Sequence, residues 1–523
     1  MHPGLTRSFL GLLLLTALAA SPAWAQADRL VPVGSWHYDV IVRLQQRGHL
    51  LTLPPTALPY TQGDIAEAVA QTDTTTLHPV ERRWLHLLRR ALRRVSERVE
   101  APTVRWEVAL DGGGQAANTE RPHVLRPLGE IVYAYPYGQI GGAVQFGPLV
   151  AELRTRHDLF YNDDPDGLDT ALRAAARSDH TYVGARGTGW AVRLGRFAQH
   201  WGVHGETATV ISSNPRTYDQ LSLRLGGDRL FVHSLLGELD SATQDGRFTG
   251  TAGDDSVRVG SDRRFVAAHR WTWRPSPRLS VSLQESALFS GPGTGFSLKY
   301  LNPVHPFVYV VDNRPKNDEN NGMVGLLLWG QHRRWTVHGQ LLFDDLDLLG
   351  IGNEPPSIAA TASLHRGAWT PILDAGVRAT LVTLRTYNAG QPQGRYLYLL
   401  RGLATQFSDY VEAEAYARVL LDAWLPGLEA TPYLAYLEQG DRDIRQPFPP
   451  KDSPVGWIFD GPTTQTWRPG VRLLYQASPW WWVRADLGLN RSQLEGTDAT
   501  MRAVGLLEVG FRLQLDGTYS IAF

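Results

Sequence analysis

The stretch Trp335-Thr336-Val337-His338-Gly339-Gln340-Leu341-Leu342-Phe343 decides the fold. Trp335, Val337, Gly339, Leu341 and Phe343 share one face of an extended chain. Arg334, Thr336, His338 and Gln340 share the other. A period of two marks a strand with one apolar and one polar face. The same alternation sets Val104, Trp106, Val108 and Leu110 against Arg105, Glu107 and Asp111. It sets Leu279, Val281 and Leu283 against Ser280, Ser282 and Gln284. Further along, Glu412, Glu414, Tyr416 and Arg418 interleave with Val411 to Val419, Arg484 and Asp486 with Val483 to Leu489, and Glu508, Arg512 and Gln514 with Val509 to Leu515.

Alternation alone does not say which face is inside. A soluble barrel turns its polar face outward; an outer-membrane barrel turns it inward. The amino-terminal residues favour the second. Arg7 precedes an apolar run from Phe9 to Ala20, and Ala23-Trp24-Ala25 has the small-x-small pattern of a signal-peptide cleavage site. No later stretch reaches 18 apolar residues, so an exported chain in a membrane crosses it with strands. Short and long connections also alternate. Gly226-Gly227-Asp228, Arg274 to Pro277, Gln331 to Arg333 and Ser478-Pro479 are tight, whereas 197–219, 238–262, 288–320 and 439–464 are long. Membrane barrels distribute periplasmic turns and outer loops this way. Trp271, Trp273, Trp329, Trp369 and Trp480 to Trp482 stand beside the tight turns, where an interfacial girdle belongs.

The expected architecture is therefore an all-β transmembrane barrel of 16–18 antiparallel strands, 18 being favoured. The count is a range because the short–long alternation slips once, near 422–465. Residues 1–25 are the signal peptide, 26–103 a helical periplasmic region and 104–523 the barrel. Ser35 caps a helix carrying Trp36, Val40 and Leu44 and ending at Gly48. A second short helix spans 63–71. A third is expected from His78 to Glu100, with Trp84, Leu87, Leu88, Leu92 and Val95 on one face and Arg82, Arg83, Arg89, Arg90, Arg93 and Arg94 on the other. That basic face is either solvated or laid against an anionic surface.

Composition excludes several classes. The 523 residues carry 51 Lys and Arg against 52 Asp and Glu, a net charge of −1, so no nucleic-acid partner is expected. With no cysteine there is no disulfide scaffold, zinc–thiolate centre or thiol catalysis. Motifs for serine hydrolases, zinc proteases and P-loops are missing, and neither catalysis nor a cofactor is expected. Asn162 to Gly167 matches half of a calcium loop, but Arg173 stands where the bidentate Glu belongs. His200, His204 and Glu206 hold metal-ligand types within seven residues, but the glycines between them oppose helical spacing.

The layout resembles the Wzi-like capsule assembly proteins of Gram-negative outer membranes. The resemblance rests on the helical lead opening with Trp36 to Gly48, on Arg196-Phe197 through His200-Trp201-Gly202 to Ser213-Asn214-Pro215-Arg216, and on Leu301-Asn302-Pro303 followed by Asn317 to Asn321. Family members often carry Trp-Trp-Gly-Pro-Gly where this chain has His200 to Gly205, without the first Trp and the Pro. The resemblance implies an 18-stranded barrel with a helical bundle at its periplasmic mouth. It also implies a lectin for surface polysaccharide rather than an enzyme, with Trp201, Asn214, Arg216, Asn302 and Asn313 contacting glycan. A porin or a barrel-embedded hydrolase is the alternative. The expected partners are surface polysaccharide, outer-membrane lipids and the barrel insertion machinery, which reads the terminal Phe523.

The mature chain should fractionate with the outer membrane and migrate faster unheated than boiled on gels. Phe523→Ala should lower the inserted amount while leaving export intact. Recovery as a freely soluble periplasmic protein would contradict the barrel.

Overall fold

The computed structural model describes residues 29–93, 103–120, 123–129, 132–164, 176–240, 263–290, 295–307, 320–344, 357–389, 392–446 and 456–520. The signal segment, Asn313, Phe523 and the chain from 94 to 102 lie outside these residues.

Eighteen antiparallel strands form one closed sheet, each paired to its chain neighbours. Closure joins the first strand, Thr103–Ala117, to the last, Thr500–Ser520, in continuous register from Thr103 opposite Ser520 to Ala117 opposite Leu506. The upper end of the expected count holds. The irregularity near 422–465 comes from the strand Leu428–Gln439. Pro432 lies inside it, and a proline cannot donate to the ladder, so the segment does not read as a central strand. The sheet accommodates it by a local break: pairing with Tyr410–Leu420 runs to Tyr416 opposite Tyr433 and resumes at Val419 opposite Ala430.

The alternating residues partition as the lipid requires. Trp335 and Val337 are 43% and 45% exposed on the outer wall, while Thr336 and His338 on the same strand are 3% and 1% exposed. The charged positions turn inward and pair. Glu107 meets Arg29 and Arg512, Glu414 meets Arg378 and Arg472, Arg418 meets Asp374, and Asp486 meets Arg468 and Arg472. Trp106, Trp273, Trp369 and Trp481 project outward near the tight turns. Trp329 and Trp482 correct the expected girdle. Trp329 shares the inward parity of Met323 and Leu327 and is 2% exposed, and Trp482 packs on the helical lead. The run Val324 to Trp329 is apolar on both faces apart from Gly325, so its parity is not readable from hydropathy.

Three helices open the described chain: α1 (Trp36–Gln46), α2 (Gln62–Ala70) and α3 (Pro79–Ala91). Thr61 and Asp64 form a capping box at the start of α2. Gly48, at φ +91°, lets the chain turn after α1. α3 runs to Ala91, and residues 94–100 of the expected helix lie outside the described residues. The helices bury Trp36, Ile41, Leu44, Ile65, Trp84 and Leu88 in a common core at the tight-turn mouth.

Charge then docks this bundle on the barrel. Arg43 pairs with Glu429 at 3.0 Å, Arg47 with Asp374 at 2.9 Å and Asp39 with Arg484 at 2.7 Å. Arg270 on the inner wall donates to Thr56. The lead climbs into the bore until Leu58 and His200 exchange backbone hydrogen bonds, both at 3.1 Å, with a loop descending from the other end. The lumen is thus packed from both mouths.

Glu81 is a keystone of this docking. It is buried and accepts from Arg47 and Arg334, both at 3.3 Å, and from the His78 N–H at 2.8 Å. Burial raises its carboxyl, but His49, His78 and Arg47 outweigh this and hold it at about 2. Its folded pKa lies below the ordinary value of about 4.3. Its stabilisation is therefore present above that pH and lost as pH falls toward 2. Glu81→Gln should cost about 3 kcal/mol of docking, the scale for breaking a buried pair. Hydrogen exchange should show it as a loss of about two orders of magnitude in α1 and α3 protection, with barrel strands unchanged.

Candidate functional site

The described parts of the long connections gather at the mouth opposite the helices. The connection 197–218 folds inward and builds an apolar plug, with Trp201, Val210 and Ile211 each 1% exposed. The connection 383–409 lies over it. Tyr387 OH donates to Thr209 O at 2.6 Å, Tyr396 OH to Val210 O at 3.0 Å and Ser212 N to Leu403 O at 2.9 Å. The wall holds it from the side, where Gln340 Oε1 accepts from Thr209 N and Oγ1, both at 3.1 Å.

His200, His204 and Glu206 go to three different partners. His200 Nε2 lies 3.1 Å from Val203 O, and His204 lies 3.4 Å from Asp39. Glu206 accepts from His338 Nδ1 at 2.9 Å and His365 Nε2 at 2.6 Å, and Tyr416 OH donates to His365 Nδ1 at 2.7 Å. This chain latches the inward loop to the wall. Among the described residues no group of three His, Asp or Glu is placed to hold a metal ion.

The residues expected to contact a ligand separate. Trp201 is enclosed in the plug, its Nε1 donating to Gln199 Oε1 at 3.2 Å, so its ring offers no open face. Asn302 is exposed on a different outer connection, capping its own turn by accepting from Val304 N at 3.1 Å. Asn214 and Arg216 do come together, where the inward loop climbs back out. Asn214 Nδ2 donates to Gly402 O at 2.8 Å. Arg216 and Arg401 each reach Asp164 Oδ2 at 2.8 Å.

Around this pair stands a cluster that no sequence motif marks. A short helix, α4 (Phe160–Asp163), presents Tyr161. The guanidinium of Arg177 lies 4.8 Å from its ring centroid and that of Arg216 4.7 Å, both in cation–π range. The Tyr161 hydroxyl donates to Asp179. Tyr218 and Tyr398 pack edge to face at 5.6 Å beside them. Arg216 Nη1 and Arg401 Nε are buried donors without a hydrogen-bond partner among the described residues. Burial raises the Asp164 carboxyl, but Arg401 and Arg216 outweigh it and hold it below the usual carboxylate range. The acidic segment that looks like half a calcium loop therefore supplies, through Asp164, an anchor for two arginines.

Residues 116–329 match the family model of the capsule assembly protein Wzi. The structure is similar to that of Wzi from Escherichia coli, with a TM-score of 0.61 and 13% identity over 93% of this chain and 99% of that one. The two proteins share a fold. The Escherichia coli protein is described as a carbohydrate-binding β-barrel of the outer membrane involved in group 1 capsule assembly. Weaker likenesses include OccD3 (OpdP) of Pseudomonas aeruginosa, with a TM-score of 0.44 and 10% identity over 79% of this chain and 91% of that one. OccAB2 of Acinetobacter baumannii also gives 0.44 and 10%, over 79% and 98%. No curated protein sequence matches. The closed 18-stranded barrel shares the fold of that Escherichia coli outer-membrane protein.

Asp164→Asn should loosen the link between the inward loop and the 383–409 connection. Trypsin should then cut after Arg216 about tenfold faster or more, since breaking a buried pair lowers the local opening energy by a few kcal/mol. Unchanged cleavage would show that Asp164 does not hold the loop.

Proposed function

We propose that this chain is an outer-membrane polysaccharide-binding protein, lectin-like in action, that serves capsule or exopolysaccharide assembly or surface attachment. In this reading it is exported by a signal peptide cleaved after Ala25, and it recognises glycan at the outer mouth without hydrolysing it. The observation that carries the proposal is the cluster of Tyr161, Arg177, Arg216 and Arg401 at the loop end of the barrel. Aromatic rings stack on the apolar faces of sugars, and arginine forks suit carboxylates and vicinal hydroxyls. The cluster brings together three guanidiniums, those of Arg177, Arg216 and Arg401, which suits an acidic polysaccharide. The likeness to a carbohydrate-binding barrel supports the same reading. The filled lumen favours binding over conduction.

Purified mature chain should bind an acidic surface polysaccharide, and carboxyl reduction of the glycan should weaken binding. Arg177→Gln together with Arg216→Gln should lower affinity about tenfold, a cost of about 1.4 kcal/mol. Equal binding of the native and carboxyl-reduced glycans would remove the arginines from recognition. Absence of binding to any surface glycan would overturn the function.

A further inference from the structure

The tight turns differ in charge around the mouth that holds the helices. Four consecutive turns, near Asp228, Pro277, Arg333 and Pro371, bring Arg229, Arg278, Arg333 and Arg366 to the rim. Arg229, Arg278 and Arg333 are exposed, and no carboxylate pairs with any of the four among the described residues. Arg278 donates from Nη1 to the neutral Gln331 Oε1. Asp228 is the one exposed carboxylate in these turns. The other tight turns, at Gly147-Pro148, Thr188-Gly189, 421–427 and Pro479-Trp480, carry no arginine. The aromatic residues do not follow this division. Trp273, Trp335 and Trp369 are exposed on the arginine side, and Trp424 and Trp481 on the other. An interfacial girdle therefore accounts for the tryptophans but not for arginines confined to one sector.

Arg366 shows which way this charge faces. It lies opposite Trp335 in the sheet and shares the outward parity of the exposed Leu364. Its guanidinium stands 5.4 Å from the Trp335 ring centroid, in cation–π range. Each of the other arginines stands next to an exposed apolar group of the outer wall. Arg229 precedes Leu230, Arg278 precedes Leu279, and Arg333 lies two residues before Trp335. Ile372 is exposed beside the turn that follows Arg366. The same sector fastens the lead on its inner side. Arg274 donates to Thr52 O at 3.0 Å and Leu51 O at 2.7 Å, and Arg334 to Glu81 at 3.3 Å.

We propose that this sector of the rim binds the head groups of anionic phospholipids from the inner leaflet. The phosphates meet Arg229, Arg278, Arg333 and Arg366, and the acyl chains lie along Leu230, Leu279 and Ile372. Two features select a lipid over an acidic protein. Arg366 points out along the wall, toward the bilayer rather than the periplasm. Each arginine is followed on the wall by apolar surface, which a protein docked from below would leave unused. Tryptophan marks the depth at which head groups lie, and arginine at that depth attracts anionic lipid. The bound lipids hold to the membrane the part of the rim to which the lead is fastened.

Native mass spectrometry of the mature chain tests this, using micelles doped equally with phosphatidylglycerol and phosphatidylethanolamine. The wild type should retain phosphatidylglycerol in about fivefold preference, the scale of one arginine near an anionic surface. Arg229→Gln, Arg278→Gln, Arg333→Gln and Arg366→Gln combined should bring the ratio close to one, and lysine at the same four positions should keep it. Arg82→Gln with Arg89→Gln, exposed on α3 rather than on the wall, should leave it unchanged. Equal retention of the two lipids by the wild type would overturn the proposal, and that result needs no variant to fold. A folded quadruple glutamine variant that keeps the preference, or an α3 variant that loses it, would overturn it as well. So would displacement of the lipid by millimolar inorganic phosphate, or binding of poly-glutamate through the four arginines without a lipid preference.

Discussion

A charge on the lipid face of a barrel costs about 2–4 kcal/mol near the bilayer midplane. Charges in the middle of the strands must therefore turn into the bore, and the outward pairs Arg196–Asp219 and Glu238–Arg263 stand at strand ends, where the cost is small. The rest of the structure follows from that constraint. Once inside, Glu107, Glu152, Asp374, Glu414, Glu429 and Asp486 need cations, and wall arginines meet only part of the demand. The helical lead supplies the remainder with Arg29, Arg43 and Arg47, and its Asp39 answers Arg484. Replacing such buried pairs by apolar groups is often neutral for stability, whereas breaking one is costly. Their role here is registration: they place the lead at one depth in the bore.

Filling the bore then gives the two mouths different work. The loop plug carrying Val210 and Ile211 rests on the lead through Leu58 and His200, and is capped by Tyr387 and Tyr396. Being supported from below, it presents Asn214 and Arg216 at the outer rim instead of collapsing inward. The Glu206–His338–His365–Tyr416 chain holds the same loop from the side.

Much of the barrel was legible in the sequence because a period of two is a local signal. Residues 334 to 343 contain the whole argument for their strand and for which residues share a face, while the choice of inner face came from the amino-terminal segment and the connections. Legibility failed where local chemistry conflicted with tertiary context. Pro432 disguised the strand Leu428–Gln439, and the two-faced apolar run before Trp329 concealed an inward tryptophan. The site was less legible than the fold. Asn214 and Arg216 could be read as members of a long polar loop. Tyr161, Asp164, Arg177, Tyr398 and Arg401 come from separate segments, joined only when the outer connections fold over the rim. Trp201 looked like a stacking platform because aromatic character shows in sequence, whereas enclosure by a second loop does not.

The lead and the inward loop, locked by ion pairs to the inner wall, close the bore. Single-channel recording of the purified mature chain in a planar bilayer tests it most directly. Inserted protein should give no steady ohmic current, and deletion of residues 29–93 should open one. A stable open-channel conductance from the intact chain would contradict the account.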